Sequence, residues 1–86
     1  MPRYFFHIQD GHWSPDEDGT ELPDIDTAQA EAVRLSGEML RDLGAKFWNA
    51  AEWRMAVADE RGDVLFALRF TAEERRNATP LKAASH

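Results

Sequence analysis

Apolar residues alternate with period two in three parts of the chain and recur every three to four residues in one, which predicts strands around a single helix. Residues 3–9 put Tyr4, Phe6 and Ile8 on one side and Phe5, His7 and Gln9 on the other. Asp10-Gly11 is a turn signal. Residues 19–23 offer a short second strand stopped by Pro23, which cannot donate to a ladder. The first two strands then make a hairpin with a wide loop over 10–18. Asp24 or Asp26 suits the start of a helix, where a carboxylate accepts from free N–H groups and meets the positive end of the dipole. Over 27–43, Ala28, Ala32, Leu35, Met39 and Leu43 fall within about 80° on a helical wheel. Glu31, Arg34, Glu38 and Arg41 lie opposite, and Gly44 ends the run. A connector over 45–51 carries Phe47 and Trp48, with room for a turn of helix. Residues 52–58 alternate again, with Trp53, Met55 and Val57 inward and Arg54, Ala56 and Ala58 outward. The loop at 59–63 has Gly62 for a positive φ. A fourth strand follows at 64–70, with Val64, Phe66, Leu68 and Phe70 on one face.

The order is β-β-α-β-β, an α+β fold: a four-stranded, mainly antiparallel sheet with one amphipathic helix on one face. The folded domain is expected over residues 1–72, with a flexible tail over 73–86. One helix covers one face of a sheet. The other would carry Phe5, His7, Ala56, Ala58, Leu65 and Ala67, rimmed by Arg54 and Arg69. Apolar residues on a nominally solvated face mark an interaction surface. The expected partner is a second copy of the chain, docked through the open sheet face or an edge strand, with another protein as the alternative.

Composition narrows the function classes. The 86 residues carry 43 % hydrophobic positions, enough for one small core. There is no cysteine, which excludes disulfides, thiolate metal sites and cysteine nucleophiles and fits a reducing cytoplasm. No stretch reaches the length of a membrane span, and the N-terminus runs straight into a strand pattern. The net charge of −6 repels phosphate backbones. Only Arg69, Arg75, Arg76 and Lys82 form a basic stripe, interrupted by Glu73 and Glu74. Nucleic-acid and membrane partners are therefore not expected.

One resemblance adds to this. The run Met1-Pro2-Arg3-Tyr4-Phe5-Phe6-His7-Ile8, with Asp10-Gly11 and then Asp18-Gly19-x-Glu21-Leu22-Pro23-Asp24, resembles a bacterial family of small uncharacterised proteins. Trp53 and Val57, Asp59-Glu60-x-Gly62, Val64-Leu65 and Leu68-x-Phe70 fit it as well. The likeness spans roughly residues 1–72. It implies one intact domain and carries over no catalytic residue.

The sharpest candidate chemistry lies in the opening hairpin. His7, Asp10 and His12 are plausible metal ligands, and the carboxylates at 16, 17 and 18 suit a hard cation. A calcium loop aligned on Gly19 takes Ser14, Asp16 and Asp18 as ligands but puts Ile25 where a bidentate glutamate belongs. The two histidines lack helical spacing, so no metal or cofactor is expected. His7 near Asp10 or Asp18 could act as a base, with Ser14 or Ser36 as nucleophile. Neither a phosphate-binding glycine loop nor a nucleophile elbow accompanies them. Trp53 reads as core. Trp13 and Trp48 read as edge covers or partner anchors. The leading expectation is a non-enzymatic, cytoplasmic, self-associating interaction or regulatory module, with Phe5, His7, Trp13, Arg54, Leu65 and Arg69 at the interface. The rivals are a small-ligand or metal-binding protein or enzyme using His7, Asp10 and His12, and an antitoxin-like or nucleic-acid regulatory module.

Overall fold

Strand β1 (Arg3–Gln9) is followed by two short strands, β2 (Trp13–Ser14) and β3 (Thr20–Glu21). Helix α1 (Ile25–Leu43) comes next, then a 3₁₀ helix (Gly44–Asn49), β4 (Glu52–Ala58) and β5 (Val64–Thr71). These elements belong to a computed structural model that describes residues 1–49 and 52–74. The sheet runs β2-β1-β4-β5, with β3 also paired to β1, and every pairing is antiparallel. The α+β architecture is the one the periodicities predict. The tail residues 75–86, with Arg75, Arg76 and Lys82, lie outside the described residues.

Local chemistry fixes the element ends. Asp24 is the helix cap: its Oδ1 accepts from the Thr27 N–H at 2.8 Å and from the Thr27 hydroxyl at 2.7 Å. These two bonds hold the Asp24 carboxyl below its ordinary pKa. At the other end the Gly44 N–H returns to the Leu40 carbonyl. The turn between β4 and β5 is built on Asp59, whose Oδ1 accepts from the N–H groups of Arg61 and Asp63 at 2.9 and 3.1 Å. Burial alone would raise the Asp59 pKa, but these bonds and the Arg61 charge lower it.

The core lies between α1 and the sheet. Tyr4, Phe6, Ala28, Ala32, Trp53, Met55 and Val57 form one buried cluster, and Phe66, Leu68 and Phe70 of β5 pack against it. The helix meets this cluster along a slightly different line from the expected stripe. Ala28, Ala32 and Ser36 are its buried residues, while Met39 sits at the margin, 36 % exposed. The cause is steric. Residues spaced by four share one side of a helix, and three small ones let the backbone come close to a sheet surface bearing Trp53 and Met55. Ser36 satisfies its hydroxyl by donating to the Met55 sulfur at 3.7 Å.

Two other expectations change. The first hairpin is not wide: the chain turns over residues 10–12 and re-pairs at once, with Gln9 opposite Trp13 and Ile8 opposite Ser14. Val64, expected inward, is 59 % exposed. Val57 pairs with Phe66 but Ala58 pairs with Val64, so Leu65 is an extra residue in β5. Such a bulge shifts the alternation by one and puts Val64 on the side of Ala58, away from the helix.

The close helix contact makes a sharp prediction. Ala32→Leu should cost about 1–3 kcal/mol by overpacking, while Val33→Lys on the exposed side should stay within about 0.5 kcal/mol. Urea unfolding followed by tryptophan fluorescence measures both.

Candidate functional site

The side of the sheet away from α1 is built from alternate residues of three strands. Register places Phe5 opposite Ala58 and His7 opposite Ala56, and then Ala56 opposite Ala67 and Ala58 opposite Val64. Residues directly opposite on paired strands share a face. The result is a trough floored by small side chains. Ala56 and Ala58 are 8 % and 2 % exposed, although no helix covers them. Taller neighbours do the covering.

On one flank those neighbours are rings. Phe5 stacks with His7 at a centroid distance of 6.4 Å and an angle of 11°, and Trp13 leans on His7 at 5.3 Å and 37°. Trp13, in β2, is 52 % exposed and closes the row at the sheet edge. On the other flank stand Val64 and Leu65, both exposed. Arg54 and Arg69 face each other across β4 and β5. Two like charges in that position repel, and Glu52 relieves them by pairing with Arg69 at 2.7 Å. Of the six interface candidates, the structure brings Phe5, His7 and Trp13 into one row, pairs Arg54 with Arg69, and leaves Leu65 on the far strand.

The row depends on a residue that composition alone passes over. The strand returning beside β1 breaks between Ser14 and Thr20, because residues 15–19 stand opposite residues 5–7. Asp16 fills the gap with its side chain. One carboxylate oxygen accepts from the Phe6 N–H at 3.1 Å, and the other accepts from the N–H groups of Asp18 and Gly19 at 3.2 and 3.1 Å. A side chain thus replaces the missing rung of the ladder. Burial would raise the Asp16 pKa, but the three backbone bonds outweigh it and the net shift is downward. The Asp16 N–H in turn donates to His7 Nδ1 at 3.0 Å. That bond requires Nδ1 to be unprotonated, so the neutral ring carries its hydrogen on Nε2. The signal in the sequence was Asp16-x-Asp18-Gly19, an aspartate with N–H groups two and three residues on, the pattern of an Asx turn.

Gly19 completes the break. Its φ is +72°, and a Cβ there would lie 2.8 Å from both Arg3 Cγ and Phe5 Cε2. The Arg3 guanidinium spans the same segment, donating to the Asp18 carbonyl at 3.0 Å and pairing with Glu21 at 3.1 Å.

The residues of the rival site are dispersed. His7 belongs to the outer face and to Asp16. Asp10 has the phase of Ile8 and turns to the helix side, where His12 Nε2 stands 3.9 Å from its Oδ1. Among the described residues no group of three or more such side chains could hold a metal ion. Ser36 is fully buried against Met55 and unavailable as a nucleophile, and Ser14 is an exposed strand residue. Trp48 is 61 % exposed on the 3₁₀ helix. No helix among the described residues is long and apolar enough to cross a membrane.

An antiparallel sheet with one covering helix and an apolar outer trough defines a small α+β domain. The chain belongs to the family described as Domain of unknown function (DUF6894), whose model matches residues 3–71. No curated protein and no solved structure matches the chain. The family match covers β1 through β5, so it takes in the trough, the broken strand and the helix together.

Two outcomes follow from the Asp16 anchor. Asp16→Ala leaves the half-buried Phe6 N–H without its acceptor and should cost about 1–3 kcal/mol. Gly19→Ala, strained in φ and in space, should cost more than about 1 kcal/mol. The pH dependence has a definite sign. The folded-state pKa values of Asp16, Asp24 and Asp59 are lowered, so their contribution is present above the ordinary aspartate pKa and lost as pH falls through the folded values. Urea midpoints should therefore fall as pH drops below about 4, and Asp16→Asn should flatten that limb.

Proposed function

We propose that this domain is a non-enzymatic, cytoplasmic interaction module that pairs with a second copy of itself through the β5 edge, extending the sheet across the dimer. The bare edge of β5 carries the reading. β5 is eight residues long and pairs only with β4 among the described residues. Its one charged residue is Arg69, and it has no proline. Isolated proteins blunt such edges with charges, prolines or covering segments, because a row of free N–H and C=O groups recruits another strand.

A second copy is the occupant that charge favours. With a net charge of −6, two chains repel in most orientations. Glu31, Glu38 and Asp42 lie along α1, on the helix side of the sheet. The outer face and β5 bear Arg54 and Arg69, with Glu52 paired to Arg69, so charge there is far less negative. Antiparallel pairing of two β5 strands is self-complementary under a two-fold axis. It would join the two troughs and cover Val64 and Leu65, while Trp13 would stay at the outer ends of the joined sheet.

Sedimentation velocity of the full chain at micromolar concentration should give a dimer mass. Leu65→Asp should shift it to monomer with an unchanged far-UV spectrum, and Trp13→Ser should leave the dimer intact. A wild-type monomer throughout that range would end the proposal.

A further inference from the structure

The helix side of the sheet holds a groove at the C-terminal end of α1, on the opposite face from the trough. Two adjoining cavities of about 290 and 240 Å³ share Asp10, Leu43, Lys46 and Trp53 in their walls. Ile8 and Met39 extend the apolar lining on one side, Phe47 on the other. Together they reach the size that accepts a small organic molecule, with the mostly apolar lining and few polar groups such sites have.

The polar groups are of one dominant sign. Asp10 Oδ1 is buried and has no hydrogen-bond partner, while the side chain as a whole is 29 % exposed. His12 Nε2 stands 3.9 Å away on a ring that is 83 % exposed, beyond hydrogen-bonding distance. A carboxylate with one oxygen short of donors is costly to hold in the fold, and a cation bound at its exposed part offsets that cost. Asp42 adds a second carboxylate to the lining. The end of α1 brings the negative pole of a helix 19 residues long. Lys46 is the one base in the walls, outnumbered by these groups.

We infer that this groove binds a small organic ammonium ion whose N–H groups reach Asp10 and whose apolar body lies on Leu43, Ile8 and Trp53. An anion meets two carboxylates and the carbonyl end of the helix. A neutral apolar molecule leaves the Asp10 carboxylate without a counter-charge. An ammonium ion on an apolar stem answers both features. This site uses Asp10 without His7 and shares no residue with the β5 edge, so it stands apart from self-association.

The test is a titration of the isotopically labelled full chain with benzylammonium, with benzyl alcohol and benzoate as controls. Amide shifts at Asp10, Gly11 and Leu43 and the Trp53 indole signal should move together and saturate at millimolar benzylammonium. Asp10→Asn should weaken that binding roughly tenfold or more, the size of a lost charge-assisted hydrogen bond. Because the oxygen it alters has no partner, this variant should keep the wild-type unfolding midpoint or raise it. Asp42→Asn, at an exposed helix position, should weaken binding by a smaller factor with the fold intact. Equal affinity for benzyl alcohol or benzoate, shifts that never saturate, or unchanged binding in Asp10→Asn would each overturn the inference.

Discussion

The fold depends on how closely one helix can approach one strand. Ala28, Ala32 and Ser36 present almost no side-chain height, so α1 settles onto the strand that carries Trp53, Met55 and Val57, all essentially unexposed. A larger helix residue on that line would hold the backbone away from Trp53 and Met55. The larger apolar residues of α1, Leu35, Leu40 and Leu43, pack beside the line of contact and are only partly buried. The helix is thus wedged over β4 rather than laid across the whole sheet. Strand β5 receives only its margin, and Phe66, Leu68 and Phe70 are half-buried in consequence.

That geometry has a cost on the other side. A single helix spends the chain's apolar helical surface on one face, and a domain of this size has no second layer to cover the other. The outer face answers with small residues under tall ones: alanines at 56 and 58 are shielded by neighbouring side chains, not by another element. Shielding of this kind needs the flanking rings to stay in place. His7 is held by the Asp16 N–H, and Phe5 and Trp13 lie against His7. The local chemistry of a five-residue break in an edge strand therefore maintains a surface that spans the sheet.

The element order was legible because each element has a strong period: two for β1, β4 and β5, near 3.6 for α1. The helix cap and the turn glycine could also be read from residue type. What escaped the sequence were effects of one residue on the phase of the next. The bulge at Leu65 turns Val64 outward, yet nothing in Val64-Leu65-Phe66 distinguishes a bulge from plain alternation. The two-residue strand at Trp13 is too short for any period to reveal it. Ser36 falls beside the Leu35 and Met39 stripe on a helical wheel, and its burial follows from steric height, which hydrophobicity does not encode. Alternation alone puts Phe5, His7, Arg54 and Arg69 on one face, while Asp16, the anchor that orients His7, reads in the sequence as a hard-cation ligand of the loop.

Two aspartates six residues apart show how much a carboxylate's role depends on what its oxygens meet. Both lie in the first hairpin, and composition alone assigns both to an acidic loop. Asp16 is saturated: three backbone N–H groups reach it, its pKa is lowered, and its charge is consumed in closing a gap in the ladder. A carboxylate so engaged is a structural part, with little left to offer a ligand. Asp10 has the opposite balance. One of its oxygens is buried without a donor beside an apolar groove. A carboxylate that is costly to bury, short of donors and set beside an apolar groove is explained by what it can bind rather than by what it holds together. By that criterion recognition sits at Asp10 on the helix side, and the histidine-rich appearance of the hairpin comes from a ring that is part of the sheet and another that is in solvent.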